Sequence, residues 1–321
     1  MDDKSLTPEE VAGQLQITKN TVYEMIKRGE LPAYRIGRKL RIDPRDVQQF
    51  RQQGKSFEFT RTGQLSASMD PVPTRFSPIE KMADSSPAEI IICGHDIILD
   101  ILAQHLERRL QPLRVFRYKV GSFSGLSALY QGQADMAATH LWDGDSGRYN
   151  LPYVRYLLPG IPVTIIHLAQ RMEGFYVQAG NPKQIQDWTD LARPDVRICN
   201  RETGCGTRIL LDEQLRQLQI DSQQIQGYER EESSHLAVAS VVARGEADAA
   251  LGIEKASLQV RGIDFIPLQK ERYEMVVKNE MLDRPEFQAM MDILRSTQFR
   301  ADIQGLGDYD LSETGRIMTG I

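Results

Sequence analysis

The feature that most constrains the fold of this chain is a break in its hydrophobic pattern. Residues 56–87 are rich in Ser, Thr and Pro, and no helical or strand period of apolar residues continues through them. This composition is typical of a linker. The break predicts a small domain at 1–55, a linker at 56–87 and a larger domain at 88–321. The length of 321 residues agrees with this division, because one domain takes roughly 150 residues.

The two predicted domains differ in charge. The whole chain carries −5 at pH 7, which by itself argues against a nucleic-acid partner. Residues 1–55, however, hold 11 Lys and Arg against 8 Asp and Glu, a difference of +3, so the remainder carries −8. Opposite charges in two parts of one chain predict different partners for those parts.

The basic domain begins with the pattern of two capped helices. Thr7 precedes Pro8-Glu9-Glu10, which is a capping-box signature with Pro at the first helical position. Thr18 is a second N-cap candidate, followed by a helix at 19–27 with an apolar face. Two helices joined by a tight turn predict a helix-turn-helix motif.

A basic β-hairpin follows the two helices. Apolar and basic residues alternate in 34–36 and in 40–42, on either side of the turn Gly37-Arg38-Lys39. A further helix is predicted to begin at Pro44. Together these elements predict a winged helix-turn-helix that binds double-stranded DNA. The second helix of such a motif enters the major groove and the wing contacts the backbone or the minor groove. The predicted DNA-binding residues are Thr18, Lys19, Asn20, Thr21, Tyr23, Lys27, Arg35, Arg38, Lys39 and Arg41.

This domain resembles the excisionase-type, MerR-like DNA-binding domains. The stretches that carry the resemblance are LTPEEVAGQL, ITKNTVYEMIKRGELPAYRIGRKLRI and DPRDVQQF. The resemblance covers the whole basic domain. It implies the helix-turn-helix fold and DNA binding, and it does not identify the DNA sequence that is bound.

The acidic domain alternates short apolar runs with amphipathic segments. This βαβα pattern predicts an α/β fold with a mainly parallel sheet covered by helices. About 230 residues fit two α/β lobes better than one. We place lobe one at about 88–170 and 275–321, and lobe two at about 171–274. The chain is expected to cross between them at 169–177 and again at 263–277.

Three turns rich in Gly and hydroxyl residues connect the end of a predicted strand to the start of a predicted helix. They occupy 94–96, 121–125 and 202–208. Free backbone N–H groups and the positive end of a helix dipole meet in such turns, so they favour a small anion. The candidate ligand residues of these turns are Gly94, His95, Asp96, Ser122, Ser124, Thr203, Gly204, Cys205, Gly206, Thr207 and Arg208.

From about residue 88 onward the chain resembles the periplasmic-binding-protein-like domain that is fused to molybdenum-related proteins and to DNA-binding domains. The resemblance is carried by ICGHDIILDILAQHL, by GSFSGLSALYQGQADMAATHLWDGDSGRYNLPYVRYLLPG, by GFYVQAGNPKQIQDWTDLARPDVRICNRETGCGTRILLD and by two later stretches. It implies a two-lobed type II fold that binds an oxyanion such as molybdate or tungstate. It adds His140 to the candidate ligand residues. Cys205 stands where the family has serine, and a thiol is a weaker donor than a hydroxyl.

The resulting hypothesis is a transcriptional regulator that senses a small anion. A small organic carboxylate is the alternative ligand, and an enzyme acting on a small anion or a plain binding protein are the alternative functions. The sequence shows no metalloprotease, nucleophile-elbow or phosphate-loop motif, so we expect no catalysis, no metal and no cofactor. Cys93, Cys199 and Cys205 give no disulfide or zinc pattern.

We also expect a homodimer, because helix-turn-helix proteins usually read paired half-sites. Neither a signal segment nor a run of 18 apolar residues occurs in the sequence, so we expect a cytoplasmic protein without a membrane partner.

Overall fold

The computed structural model of the chain describes residues 5–15, 18–27, 31–36, 39–44, 46–47, 88–306 and 309–320. The chain divides into two compact units, Met1–Thr74 (unit one) and Arg75–Ile321 (unit two). The predicted linker at 56–87 lies outside the described residues, so its bounds stay a prediction.

Unit one is a small helical module with a two-stranded wing. Its elements are α1 (Pro8–Leu15), α2 (Lys19–Lys27), β1 (Tyr34–Ile36) and β2 (Lys39–Arg41). β1 and β2 pair antiparallel, and Leu6 and Ile42 exchange both backbone hydrogen bonds beside them. The buried core of this unit consists of Val11, Ala12, Val22, Met25, Leu31, Ile42 and Val47.

Both predicted helix caps of unit one are confirmed. The Thr7 hydroxyl accepts the Glu10 N–H at 3.3 Å, and the Glu10 carboxylate accepts the Thr7 N–H at 2.7 Å. The Thr18 hydroxyl accepts the Thr21 N–H at 3.2 Å. Each cap satisfies backbone donors that the helix itself cannot pair, which fixes where α1 and α2 begin. The winged helix-turn-helix fold is therefore confirmed.

Unit two is built around a nine-stranded sheet with helices packed against it. The strands of this sheet are β3 (Glu89–Cys93), β4 (Arg114–Tyr118), β5 (Met136–Thr139), β8 (Val163–Gln178), β9 (Ile198–Arg201), β10 (Glu231–Glu232), β11 (Ala249–Ile253), β12 (Ile263–Lys278) and β13 (Ile317–Gly320). A separate short pair is formed by β6 (Trp142–Asp143) and β7 (Arg148–Tyr149).

The helices of unit two follow the strands as the α/β pattern predicts. They are α3 (Ile97–Arg109), α4 (Ser122–Tyr130), α5 (Leu151–Leu157), α6 (Gly206–Gln217), α7 (His235–Ala243), α8 (Glu254–Ser257), α9 (Pro285–Arg295) and α10 (Thr297–Gln304). Short 3₁₀ turns occupy Trp188–Ala192, Ser222–Gln224 and Asn279–Met281. Among the described residues, no helix combines the length and the apolar character needed to cross a bilayer.

The sheet is mixed, so the prediction of a mainly parallel sheet is wrong. Its order is β10-β9-β11-β8-β12-β5-β3-β4, with β13 added on β8. The outer strands pair parallel with their neighbours, but every pair that includes β8 or β12 is antiparallel. The reason is that these two strands carry the chain between the two halves of the sheet and run in opposite directions.

β8 is a single strand of 16 residues that pairs along its length with β12. Two apolar clusters pack around residues 163–169 and 273–277, at one end of the strand pair. Two further apolar clusters pack around residues 175–177 and 249–266, at the other end. The first two clusters belong to lobe one and the other two to lobe two. The middle of β8 and β12, residues 170–173 and 269–272, joins the lobes and is called the hinge segment.

Candidate functional site

The N-terminal end of α2 presents the predicted DNA-contacting surface of unit one. Thr18, Lys19, Thr21 and Tyr23 are exposed there. The Lys19 ammonium lies 2.6 Å from the carboxylate of Glu9 on α1, which raises the pKa of Lys19. This contact holds the lysine beside the first helix.

The wing positions the other predicted DNA-binding residues. In the hairpin, Arg41 pairs with Tyr34 and its guanidinium donates to the backbone oxygen of Ser5 at 3.3 Å. Arg41 is therefore half-buried and ties the wing to the start of the chain. Arg38 and the side chains of Asn20, Lys27, Arg35 and Lys39 lie outside the described residues.

A small enclosed cavity lies between the lobes of unit two. Lobe one contributes Ser122, His140 and Tyr273, and lobe two contributes Arg201, Cys205 and His235. The cavity has a volume of about 10 Å³, which is room for about one water molecule. His95 also lines it. Four of the residues predicted for ligand binding, namely His95, Ser122, His140 and Cys205, therefore meet at one place.

Arg201 is a buried arginine that lines this cavity, and it was not among the residues predicted from the sequence. Its side chain is 2% exposed. Nε and Nη2 donate to the Glu202 carboxylate at 2.9 and 3.0 Å, whereas Nη1 has no hydrogen-bond partner among the described residues. The residue ends β9, directly before the turn that was singled out at 202–208. Its position as the last residue of a buried strand was the signal that could have found it.

Other buried polar atoms around the cavity also lack partners. Among the described residues, the Tyr273 hydroxyl and Nδ1 of His235 make no hydrogen bond. Burial lowers the pKa of His235 well below its usual value, so its imidazole is neutral. Burial raises the pKa of Cys205, so its thiol stays protonated and offers a weak donor, not a nucleophile.

The two lobes touch directly through the predicted turns. The Phe123 N–H donates to the Gly204 oxygen at 3.1 Å. A Cβ on Gly121 would lie 2.8 Å from that same oxygen, and a Cβ on Gly206 would lie 2.6–2.8 Å from three atoms of the His140 ring. Glycine at 121 and 206 therefore permits the close approach of the lobes that this closed form shows.

The remaining predicted ligand residues support the site without lining the cavity. Gly94 has a φ of +138° and forms the turn before α3, while Gly204 lies in the turn before α6 and Gly206 is the first residue of that helix. The Thr203 hydroxyl donates to Glu231, and Ser124 does not line the cavity. Asp96 caps α3 by accepting the Ile98 N–H at 2.8 Å.

Arg208 is directed away from the cavity. Its Nη1 donates to the backbone oxygen of Arg201 at 3.1 Å and to Glu231 at 2.9 Å, and its guanidinium stacks 4.2 Å from the Tyr228 ring centre. The arginine of this turn therefore holds the strand end that carries Arg201. It is a positioning residue in this closed form.

The hinge segment buries an unusual set of charges. Arg171 contacts the carboxylates of Asp96 and Glu271, and its guanidinium lies 4.1 Å from the Tyr273 ring centre. Glu173 accepts a hydrogen bond from the Thr207 hydroxyl at 2.6 Å. Burial, aided by the neighbouring Glu271, raises the pKa of Glu173 to about 8.

His140 faces these hinge carboxylates. Its Nδ1 lies 2.6 Å from Glu271 Oε2 and 3.9 Å from Glu173 Oε1. Burial lowers the pKa of His140 to about 3, with Arg171 adding to the effect, so the imidazole is neutral. A neutral imidazole between two carboxylates accepts or donates a hydrogen bond but contributes no positive charge to the cavity.

A larger cleft adjoins the cavity and shares His95 and His235 with it. Its volume is about 260 Å³. The N-terminal ends of α3 and α7 border this cleft through Ile97 and His235, and Lys119 and Lys255 bring positive charge to it. The cleft thus offers more space than the cavity and a mixed polar and apolar lining.

Comparisons with known proteins agree with both units. Residues 5–55 match a helix-turn-helix domain and residues 103–295 match the PBP superfamily domain. A solved structure similar to unit two is a Clostridium perfringens protein described as a phosphate ABC transporter substrate-binding protein with bound phosphate. It is 12% identical, with a TM-score of 0.53 over 69% of this chain and 99% of that chain. At this identity the likeness shows the fold alone.

Two relatives match by sequence. The Bacillus subtilis (strain 168) protein YvgK is 40% identical over 321 residues, which is 99% of this chain and 98% of that protein. A Clostridium pasteurianum protein from the 5′ region of the ferredoxin 2Fe-2S gene is 61% identical over 111 residues, 35% of this chain and 98% of that protein. The chain therefore belongs to the same family as YvgK, and it joins a helix-turn-helix domain to a domain of the PBP superfamily.

Proposed function

We propose that the chain is a transcriptional regulator whose affinity for operator DNA is set by a small anion held between the lobes of unit two. The observation that carries the proposal is the buried guanidinium of Arg201, whose Nε and Nη2 donate to Glu202 while Nη1 has no hydrogen-bond partner among the described residues. It faces a cavity whose other donors come from both lobes. A ligand held from both sides favours the closed form by its differential affinity.

An oxyanion such as molybdate or tungstate is the ligand that we propose. Arg201 supplies the charge, and the Ser122 and Tyr273 hydroxyls and the N-terminal end of α6 add neutral donors of the kind that hold anions. The cavity of about 10 Å³ is smaller than a tetrahedral oxyanion. Such a ligand therefore enters an opened cleft, and the lobes then close on it less tightly than in this form.

A small organic carboxylate is the second candidate, and the larger cleft favours it. A volume of about 260 Å³ accommodates a small organic molecule, whose carboxylate would face Lys119 or the N-terminal ends of α3 and α7. The apolar lining of this cleft includes Ile97, Leu236 and Ala256. Such a lining suits a carbon skeleton better than it suits an inorganic ion.

Calorimetric titration of the full-length protein distinguishes these ligands. Molybdate, tungstate, sulfate, phosphate and a panel of simple carboxylates are titrated in separate runs. We expect one anion to bind with 1:1 stoichiometry and Arg201→Gln to weaken it at least tenfold, because a charged hydrogen bond contributes about 1.5–3 kcal/mol. Arg109→Gln removes a half-exposed arginine of unit two and should leave the affinity unchanged. Absence of heat with every anion refutes the proposal.

The regulatory part of the proposal needs DNA. Genomic fragments retained by the full-length protein are sequenced, and their affinity is measured with and without the anion found by titration. We expect a shift of at least fivefold in operator affinity, and a homodimer should bind paired half-sites about one helical turn apart. Equal affinity in both conditions contradicts a regulator. Consumption of the anion during incubation would instead favour the enzyme alternative.

A further inference from the structure

The hinge segment brings two carboxylates next to His140, one of the residues that line the small cavity. Glu173 lies on β8, Glu271 lies on β12, and His140 follows β5. The exposed fraction is 8% for His140, 1% for Glu173 and 0% for Glu271. Each offers one ligand atom, and these three atoms all lie within 4.8 Å of one another. Donor atoms around one metal ion at bond lengths of 2.0–2.2 Å lie roughly 3–4 Å apart, so the cluster needs little adjustment to bind one.

The polar atoms of the cluster lie close together but are incompletely paired. Nδ1 of His140 lies 2.6 Å from Glu271 Oε2, and among the described residues Glu173 Oε2 makes no hydrogen bond. Arg171 contacts Oε1 of Glu271, which leaves Oε2 towards His140. Buried polar atoms without partners are costly, and native structures usually pair them with an ion or a neighbouring group.

The buried charges do not balance. Three carboxylates, those of Asp96, Glu173 and Glu271, surround the single guanidinium of Arg171. Arg201 does not restore the balance, because it is paired with Glu202. Three carboxyl groups beside one guanidinium leave an excess of acidic groups, which protons or a cation must neutralise. A divalent cation bound by Glu173 and Glu271 would neutralise them.

We propose that His140, Glu173 and Glu271 bind one divalent first-row transition metal ion, which connects lobe one to the two hinge strands. One imidazole nitrogen with two carboxylate oxygens is a borderline ligand set, which suits Mn²⁺, Fe²⁺, Co²⁺ or Zn²⁺. All-oxygen sites suit Ca²⁺ and Mg²⁺ instead. This inference goes beyond the proposed anion and does not rest on it.

The first experiment uses Co²⁺ as a spectroscopic probe. Untagged full-length protein is treated with a chelator, exchanged into buffer without oxyanions, and titrated with cobalt chloride. We expect d–d absorption bands that saturate at one equivalent, without an intense sulfur charge-transfer band. An end point other than one equivalent, or a spectrum dominated by thiolate, overturns the proposal. Because the probe is a chloride salt, the result does not depend on whether the protein binds an anion.

Substitutions then locate the site. His140→Gln and Glu271→Gln should each weaken Co²⁺ and Zn²⁺ binding at least tenfold by calorimetry. The matched control is His105→Gln, since His105 is a partly buried histidine of lobe one that bonds Asp302 at 2.9 Å away from the cluster. Binding that survives both substitutions, or that is lost in the control, places the metal elsewhere and refutes the assignment. If no metal binds at 100 µM, protons balance the carboxylates and the proposal is wrong. Should a variant not fold, the wild-type spectrum still decides between these outcomes.

Discussion

Replacing Gly206 with Ala tests whether the tight contact between the lobes is a property of the native protein. A Cβ at this position would lie 2.6 Å from Cε1 of His140, 2.7 Å from Nδ1 and 2.8 Å from Nε2, whereas ordinary contacts begin at 3.4 Å. The imidazole would have to move by roughly 1 Å, although it is buried against Glu271 and Tyr273. Overpacking of this kind costs about 1–3 kcal/mol.

Part of that cost is offset by the backbone. Gly206 is the first residue of α6, and its φ is not in the left-handed region, so Ala is intrinsically preferred there by about 0.5–1 kcal/mol. The net destabilisation of unit two should be about 1–2 kcal/mol, or roughly 2–8 °C in Tm for a domain of this size. In a His140→Ala background the added methyl group contacts no imidazole ring. There Gly206→Ala should slightly raise the free energy of unfolding instead of lowering it.

Tryptophan fluorescence during urea unfolding measures the stability of the wild type, of Gly206→Ala, of His140→Ala and of the double variant. Both tryptophans, Trp142 and Trp188, lie in unit two, so the signal reports that unit in the full-length protein. Gly305→Ala is the matched control, because its Cβ would lie 3.6 Å from the nearest atom and its φ is also not left-handed. The reasoning is refuted if Gly206→Ala costs no more than the control, or if its cost is the same with and without the His140 ring.

Three further predictions concern the DNA surface, the cavity and pH. Lys19→Ala should reduce the salt dependence of operator binding by about one counterion if Lys19 contacts a phosphate, and an unchanged slope contradicts that contact. Arg201→Lys keeps the charge but loses the guanidinium geometry, so it should restore only part of the anion affinity lost in Arg201→Gln, as titration would show. Burial keeps His235 neutral in the folded state, whereas the unfolded chain binds a proton there below pH 6.5. The free energy of unfolding should therefore fall by about 1.4 kcal/mol per pH unit below pH 6.5 because of this residue, and His235→Asn should remove that part of the acid sensitivity.

Local patterns predicted the parts of the fold that local interactions determine. The caps at Thr7 and Thr18 and the hairpin of the wing were predicted from neighbouring residues, because caps and tight hairpins depend on residues a few positions apart. The continuity of β8 was not predicted. Its apolar pattern is interrupted at Gln170 and Arg171. The carboxylates that pair with Arg171 lie about 100 residues away on β12, at Glu271, and 75 residues away at Asp96.

The candidate site shows the same limit. Three residues of the predicted turns, His95, Ser122 and Cys205, line the small cavity, and their binding of an anion stays a prediction. The choice between Arg201 and Arg208 was not visible, since both flank the same turn and only the position of Glu231 and Tyr228 directs Arg208 outward. The carboxylates of the hinge segment were missed because they are brought together by strand pairing alone.

The pairing of β8 with β12 has a consequence for how this protein can be divided. Unit one has its own core and its own caps, so a cut in the segment between the units leaves its described hydrogen bonds intact. The two lobes cannot be separated in the same way. Each lobe takes one end of the same two strands, and their ladder continues through 15 residue pairs without regard to the lobe boundary. A protein fragment that contains one lobe alone would therefore expose an unpaired strand edge and should aggregate. Unit two expressed whole retains all the described strands of its sheet.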